Sequence, residues 1–341
     1  MKKAEEKAGF TETRTINMKD RFGREIDYLR ISITDRCNLR CVYCMPENGI
    51  VQIPHKEILT YDEITRICRC MTGLGVHKIK LTGGEPLTRK GCAMLVQMLK
   101  GLDGINKVTL TTNGVLLKDQ IRSLFEAGID AINISLDTLD ASRFAQVTRR
   151  ESLNQVLEGI EAALQYPAIG LKINCVPVLE DPKNLVSVAG LARQYPIHVR
   201  FIEMMPIGYG REFQFRGEEE ICRILERAYG IMTPVTERYG NGPCHYYKIE
   251  GFQGKIGFIS AMTHKFCDQC NRVRMTAEGF LKACLQYQTG TDLKGLMRSG
   301  CTDEELTEAI QKVIWEKPVS HHFTSKEVDE DEARLMSQIG G

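Results

Sequence analysis

Cys37, Cys41 and Cys44 stand within eight residues, at Cys-x3-Cys-x2-Cys spacing, in the run Asp35-Arg36-Cys37-Asn38-Leu39-Arg40-Cys41-Val42-Tyr43-Cys44-Met45-Pro46. Three soft thiolates this close suit a zinc ion or an iron–sulfur cluster. Zinc asks for a fourth protein ligand, whereas a four-iron cluster held by three cysteines keeps one iron open for a substrate or cofactor. A second set follows much later. Cys267 and Cys270 lie in Phe266-Cys267-Asp268-Gln269-Cys270-Asn271-Arg272-Val273-Arg274, and Cys284 comes after thirteen intervening residues. The pair reads as a turn and Cys284 as the end of a strand, a geometry that closes one site. The competing reading there is structural zinc with His264 as fourth ligand. Cys68, Cys92, Cys175 and Cys222 fall in apolar periodic segments and read as small core residues. Cys70, Cys244 and Cys301 carry no assignment, and the pair His321-His322 reads as surface or core edge rather than metal site.

Such loops need rigid elements to present them. Short runs rich in Ile, Leu and Val recur at 29–34, 78–82, 107–111, 131–136, 171–176 and 197–202. Several read as nearly continuous apolar strands, the pattern of a parallel sheet covered on both faces. Amphipathic helices fit between them. Thr60 and Glu63 form a capping box ahead of Ile64, Ile67, Cys68 and Met71. Asp119 starts a helix that carries Ile121, Leu124 and Phe125 and stops near Gly128. Leu153, Val156, Leu157, Ile160 and Leu164 make an apolar stripe, and Asp181-Pro182 opens a further helix. Six strand–helix alternations fit a β/α barrel, complete or partial, or an open α/β sheet. The first cysteine loop then sits at the C-terminal end of a strand, where active sites of barrels gather.

The rhythm changes after Ile202. One helix carries Ile221, Ile224, Leu225 and Ala228, and short strands are expected at 246–250, 255–260 and 279–284. The expected division is a flexible arm over 1–16, a barrel over 17–216 and a smaller region over 217–341. The acidic run over 327–332 reads as a solvated face, and the Gly340-Gly341 end as frayed on composition alone.

Lys+Arg 45 against Asp+Glu 44 leaves a formal charge of +1 on 341 residues, so binding along a nucleic-acid backbone is not expected. No run of 18 apolar residues indicates a membrane span, and the charged start lacks the apolar core of a secretory signal. Thirteen cysteines without such a signal favour thiolate–metal chemistry over a disulfide framework, in a reducing compartment, the cytoplasm.

The first cysteine loop resembles that of the radical S-adenosylmethionine superfamily. Two further features agree in phase with it. Leu81-Thr82-Gly83-Gly84-Glu85-Pro86 follows the second strand, and Ser135-Leu136-Asp137 ends the fourth, with Thr111-Thr112-Asn113-Gly114 closing the third. Glycines there let backbone approach a ligand closely. Over roughly residues 17–341 the chain is similar to the GTP-cyclising family of molybdenum cofactor biosynthesis within that superfamily. The resemblance is carried by Tyr28 to Cys37, Lys172-Ile173-Asn174, Arg200 to Met204, Phe266 to Arg274 and Ile339-Gly340-Gly341.

That resemblance implies a partial (β/α)6 TIM-like barrel with a smaller C-terminal α+β region carrying a second cluster. It implies two [4Fe-4S] clusters, on Cys37, Cys41 and Cys44 and on Cys267, Cys270 and Cys284. It further implies S-adenosyl-L-methionine at the first, contacted by Tyr43, Gly83, Gly84, Glu85, Thr111, Ser135 and Asn174. The implied reaction is abstraction of the C3′ hydrogen of GTP and closure onto C8, giving (8S)-3′,8-cyclo-7,8-dihydroguanosine 5′-triphosphate. Arg30, Lys78, Lys80, Lys172, Arg272 and Arg274 would hold GTP. A triphosphate compensates cations that are costly to bury alone, and arginine grips phosphate in a fork. Lys80 departs from the family's arginine, keeping the charge and losing the fork. Arg30, Arg272, Arg274 and the tail residues Gly340 and Gly341 are implied to act in catalysis. Implied partners are an electron donor, a downstream cyclic pyranopterin monophosphate synthase and a second copy of the chain as a homodimer, with no membrane and no nucleic acid. Two other readings stand beside it: a different radical enzyme with an auxiliary cluster acting on a peptide, and a non-enzymatic zinc-binding interaction protein.

Overall fold

The computed structural model describes residues 18–178, 181–214, 216–237, 239–323 and 331–340. The expected arm over 1–16, the first four residues of the acidic run and Gly341 lie outside the described residues.

Each of the six apolar runs forms a strand: β1 (Tyr28–Ser32), β2 (Lys78–Thr82), β3 (Lys107–Thr112), β4 (Ala131–Ser135), β5 (Gly170–Cys175) and β6 (His198–Ile202). They pair in parallel in that order. Between them run α1 (Tyr61–Gly73), α2 (Cys92–Lys100), α3 (Leu117–Glu126), α4 (Ala141–Thr148), α5 (Leu153–Leu164) and α6 (Pro182–Gln194). The capping box of Thr60 and Glu63 and the Asp181 cap are both made. Asp119 lies inside the first turn of α3 rather than at its cap. This is the expected (β/α)6 arrangement.

The strands are not apolar on both faces. Leu29, Ile31, Ile79, Leu81, Val108, Leu110, Ile132, Ile134, Ile173, Val199 and Phe201 are buried in one core. The alternate positions, among them Arg30, Lys80, Thr109, Asn133, Lys172 and Arg200, line a cavity instead. Period-two alternation puts helices on the outer face and a polar interior on the other.

The C-terminal strands extend the same sheet at both edges. Beside β6, in parallel, lies β9 (Ile256–Ile259), followed outward by the antiparallel β8 (His245–Ile249) and β7 (Met232–Val235). Beside β1, in parallel, lies β10 (Arg272–Met275), then the antiparallel β11 (Phe280–Lys282) and β12 (Gly290–Asp292). Among the described residues β9 and β10 do not pair, so the barrel stays open. Residues from β1 to β6 and from β10 nevertheless line one cavity, so the sheet curls around it. The helices α7 (Glu218–Tyr229), α8 (Leu293–Arg298), α9 (Asp303–Trp315) and α10 (Met336–Ile339) complete the chain. Arg66 on α1 reaches Asp303 at the start of α9 at 2.7 Å. Among the described residues, no helix is long and apolar enough to cross a membrane.

The acidic run is not solvated throughout. Glu332 is buried, and its carboxylate takes the ammonium of the fully buried Lys282 together with the guanidinium of Arg334.

Candidate active site

Topology brings the two cysteine sets to one cavity of about 360 Å³ that all six line. The first set follows the C-terminal end of β1. In the second, Cys270 stands two residues before β10, and Cys284 stands two residues after β11. Because β11 runs antiparallel to β10, with Lys282 opposite Arg274, Cys284 returns to the end where Cys270 enters.

Cys37, Cys41 and Cys44 are close enough for their charges to oppose one another. Burial pushes Cys37 up to about 11 and Cys44 to about 12, and drives Cys41 well above the usual thiol range, with Cys44 and Cys37 adding to the effect. Three thiols of one loop lining one cavity fit a cluster as a soft donor set. In the second set, burial also pushes Cys270 up, but the charges of Lys317 and Arg272 outweigh it and bring the thiol down to about 6. Among the described residues, no three His, Cys, Asp or Glu side chains converge tightly enough for a single metal ion. His264, the alternative zinc ligand, instead faces Glu218 at 3.8 Å and Thr263 at 3.1 Å.

The glycine turn after β2 is clamped to the first cysteine loop. Gly84 N–H donates to the Thr34 carbonyl and Glu85 N–H to the Arg36 carbonyl, both at 2.7 Å. A Cβ on Gly83 would stand 2.6 Å from the Thr34 oxygen, and one on Gly84 2.4 Å from the Arg36 oxygen. Glu85 lines the cavity and is already engaged. Its carboxylate accepts from Leu87 N–H at 3.0 Å, the Thr112 hydroxyl at 2.7 Å and Asn113 N–H at 2.6 Å. Burial still raises it to about 7. It thus locks the turns after β2 and β3 together, and a carboxylate's remaining acceptor position is left for a ligand cation.

Tyr43 donates to Asp137 Oδ2 at 2.7 Å, and Asp137 Oδ1 accepts from Val176 N–H at 2.8 Å. Burial raises Asp137 to about 6. Thr111, Ser135 and Asn174 also line the cavity, but the Asn174 oxygen is taken by Arg200 Nε at 2.9 Å.

A belt of cations crosses the middle of the cavity wall. Lys80, Lys172, Arg200 and Arg274 are each no more than 8% exposed, and Arg30, Lys107 and Arg272 join them. Register aligns Arg274, Arg30 and Lys80 in one row across β10, β1 and β2. Burial lowers Lys80 well below its ordinary range, and the charges acting most on it are Arg200, Arg30, Lys172 and Lys107, all positive. Burial, then Arg200 and Lys107, hold Lys172 down to about 8. Unlike exposed lysines, these groups are costly without an anion. Lys78 does not belong to this belt. It lies at the start of β2, outside the cavity, and binds Asp27 at 2.5 Å; the alternation that puts it in line with Lys80 says nothing of depth along the strand.

The tail reaches the site. Arg274 donates to the Gly340 carbonyl at 3.0 Å. Gly340 has φ +75°, and a Cβ there would meet Thr82 Oγ1 at 2.8 Å and the Ser32 Cβ at 3.0 Å. Ser337 lies against Cys44. Gly341 lies outside the described residues.

Several lining residues escaped the sequence reading as site residues: Arg200, Lys107, Asn113, Asn133, Cys244, Lys317 and His321. Arg200, Lys107 and Asn133 carry a usable signal, being polar residues at alternate positions of otherwise apolar strands. Lys317 sits in an aperiodic loop that offers none, and His321, of the pair read as surface or core edge, is buried and lines the cavity. Lys317 is buried and donates to the carbonyls of Arg272 and Ala283, at 2.9 and 2.5 Å, tying the strands of the second cysteine set.

Comparison with known proteins agrees with this geometry. Residues 31–187 match the family model described as the Radical SAM superfamily, and residues 197–323 match Molybdenum Cofactor Synthesis C. The GTP 3′,8-cyclase of Clostridium perfringens is 47% identical over 326 residues, 95% of this chain and 100% of that protein. Those of Pelotomaculum thermopropionicum and Moorella thermoacetica are 43% and 42% identical over the same share of each chain. Among solved structures, Streptococcus suis SuiB bound to S-adenosylmethionine superposes with a TM-score of 0.61 at 16% identity, covering 86% of this chain and 66% of that one, a likeness of fold. The chain belongs to the GTP 3′,8-cyclase family of the radical SAM superfamily.

Proposed function

We propose that this chain cyclises GTP by joining C3′ to C8 with S-adenosylmethionine, in a cavity bounded by two [4Fe-4S] clusters. The observation that carries the reading is the convergence of both cysteine sets and a buried cation belt on one cavity. Residues 17–216 would act as the catalytic barrel, and 217–341 as the region that supplies the second cluster and the tail. When bound, the first cluster supplies the electron for cleavage of S-adenosylmethionine, and the second an open iron for the purine.

The chain's own residues do the rest. Gly83 and Gly84 leave backbone exposed for the methionine part of the cofactor, with Glu85 offering its remaining acceptor to the ammonium. Tyr43, Thr111, Ser135 and Asn174 border the same space. Arg30, Lys80, Lys172 and Arg274, joined by Arg200, gather the triphosphate, and the charge they accept relieves the cost of their burial. Arg272, which lies over the Phe266 ring at 5.0 Å, flanks the purine end. An electron donor, a downstream synthase that takes the cyclised nucleotide and a second copy of the chain complete the functional setting.

Anaerobic reconstitution followed by incubation with reductant, S-adenosylmethionine and each nucleoside triphosphate tests this. About eight irons per chain and a C8-linked product from GTP alone are expected. Colourless zinc protein, or roughly half that iron, would overturn the two-cluster reading.

A further inference from the structure

Arg149 is the one non-glycine residue with positive φ among the described residues, at +54°. It sits directly after α4. A left-handed residue commonly ends a helix, and glycine or asparagine fills the place without the Cβ penalty. An arginine there costs about 1 kcal/mol, so the reason for it lies in the side chain.

That side chain reaches the first cysteine loop from behind. Its Nη1 donates to the carbonyls of Arg40 and Met45, at 3.1 and 3.0 Å, which adjoin Cys41 and Cys44. From within the loop, Arg40 Nη1 donates to the carbonyls of Cys37 and Leu39, at 2.7 and 2.8 Å. The end of α4 adds two backbone bonds: Arg40 N–H to the Thr148 carbonyl and Val42 N–H to the Val147 carbonyl, both at 2.9 Å. Four loop carbonyls are thereby drawn onto guanidinium groups. An amide turns the other way, Leu39 N–H donating to Cys37 Sγ at 3.4 Å. Arg40 thus sets one positive charge on the carbonyls of Cys37 and Leu39, and Arg149 a second on those beside Cys41 and Cys44.

We propose that Arg149 is a positioning residue for the first cluster: it braces the cysteine loop and its charge raises the reduction potential of the cluster held there. The proposal rests on the cluster reading given above. A nearby cation favours whichever form carries the extra electron, and a brace on Arg40 and Met45 fixes where Cys41 and Cys44 point.

The test uses the full chain, reconstituted anaerobically and titrated with a low-potential reductant under electron paramagnetic resonance. The signal that S-adenosylmethionine perturbs reports the first cluster, and the other signal serves as an internal control. Arg149→Gly suits the backbone and removes the brace; Arg149→Lys keeps the charge and loses the planar guanidinium that holds the donor in place. The glycine variant is expected to shift the first midpoint to more negative potential, or to shed about half the iron from that centre alone. It should also slow formation of 5′-deoxyadenosine about tenfold, the effect of one charge-assisted hydrogen bond. Lysine should restore part of both. An unchanged midpoint and cleavage rate in Arg149→Gly overturns the proposal, as does an equal disturbance of both clusters. If the wild-type protein shows no signal sensitive to S-adenosylmethionine, the cluster reading itself fails and takes this proposal with it.

Discussion

Replacing Gly84 by alanine tests whether the glycine turn and the cysteine loop form one rigid unit. The new Cβ would stand 2.4 Å from the Arg36 carbonyl oxygen and 2.7 Å from both the Arg36 carbonyl carbon and the Asp35 oxygen. Carbon–oxygen contacts ordinarily begin near ~3.3 Å, so the overlap approaches an ångström, against main chain that cannot rotate away. Relief requires the two segments to part by about that amount. The Gly84 to Thr34 and Glu85 to Arg36 hydrogen bonds, both 2.7 Å, would then open. Two backbone bonds at about 0.5–1.5 kcal/mol each, with about 1–3 kcal/mol of overpacking, give a cost of about 2–6 kcal/mol. Glu85 moves with the turn, so its hold on Thr112 and Asn113 loosens as well. Affinity for S-adenosylmethionine should fall by about thirtyfold or more, since each 1.4 kcal/mol is roughly a factor of ten. Equilibrium binding and the rate of 5′-deoxyadenosine formation read the effect. Gly73→Ala is the control, a helical glycine with nothing within 4 Å of the added atom. An alanine variant at Gly84 that binds the cofactor within twofold of wild type would refute the close-approach reasoning.

Further outcomes follow from the cations and the tail. Lys172, held down to about 8 from 10.5 by burial, binds fewer protons folded than unfolded, so its destabilising contribution is full below about pH 8 and disappears as pH rises toward 10.5. On the proposed reading the triphosphate meets the protonated form, so KM for GTP should rise above pH 8 by up to about tenfold per unit, and Lys172→Arg should flatten that rise. Lys282→Met leaves Glu332 to the partly exposed Arg334 at a cost of about 1–3 kcal/mol, which thermal unfolding and proteolysis of residues 331–340 should register; adding Glu332→Leu should recover much of the loss. Residues added after Gly341 should impair product formation while both clusters survive. Full turnover of such a variant would remove the tail from the mechanism.

The legible part of the fold was the part with period and punctuation. The apolar runs gave all six barrel strands, and Thr60, Glu63 and Asp181 capped the helices as their chemistry requires. β10 was missed because Arg272 and Arg274 make Arg-Val-Arg-Met read as a loop; in the structure Val273 and Met275 are fully buried while the arginines face the cavity. The same alternation explains why Arg200 and Lys107 went unassigned. On a sheet that encloses ligand, polar residues at alternate positions mark the functional face rather than a solvent face. Lys78 shows the converse limit. It shares a face with Lys80, but depth along the strand depends on tertiary closure, and there Asp27 claims it. Glu332 read as solvated because its partner, Lys282, lies 50 residues earlier on a strand with no acidic neighbour in sequence.

Strand length sets the distance between the two cysteine sets. The first lies beyond the C-terminal end of β1, while the second enters where Arg272 of β10 stands opposite Tyr28, the first residue of β1. The five residues of β1 set its ends about 13 Å apart at the ordinary rise per residue. The row of Arg274, Arg30 and Lys80 falls at the middle of that span. A ligand reaching from one set toward the other therefore passes the cations midway along the strand. Register is what preserves this. Slipping β10 by one residue against β1 would turn Arg272 and Arg274 toward the core and bring Val273 and Met275 into the cavity. The buried apolar pair thus holds the arginines in place, and the core and the site are specified by the same four residues.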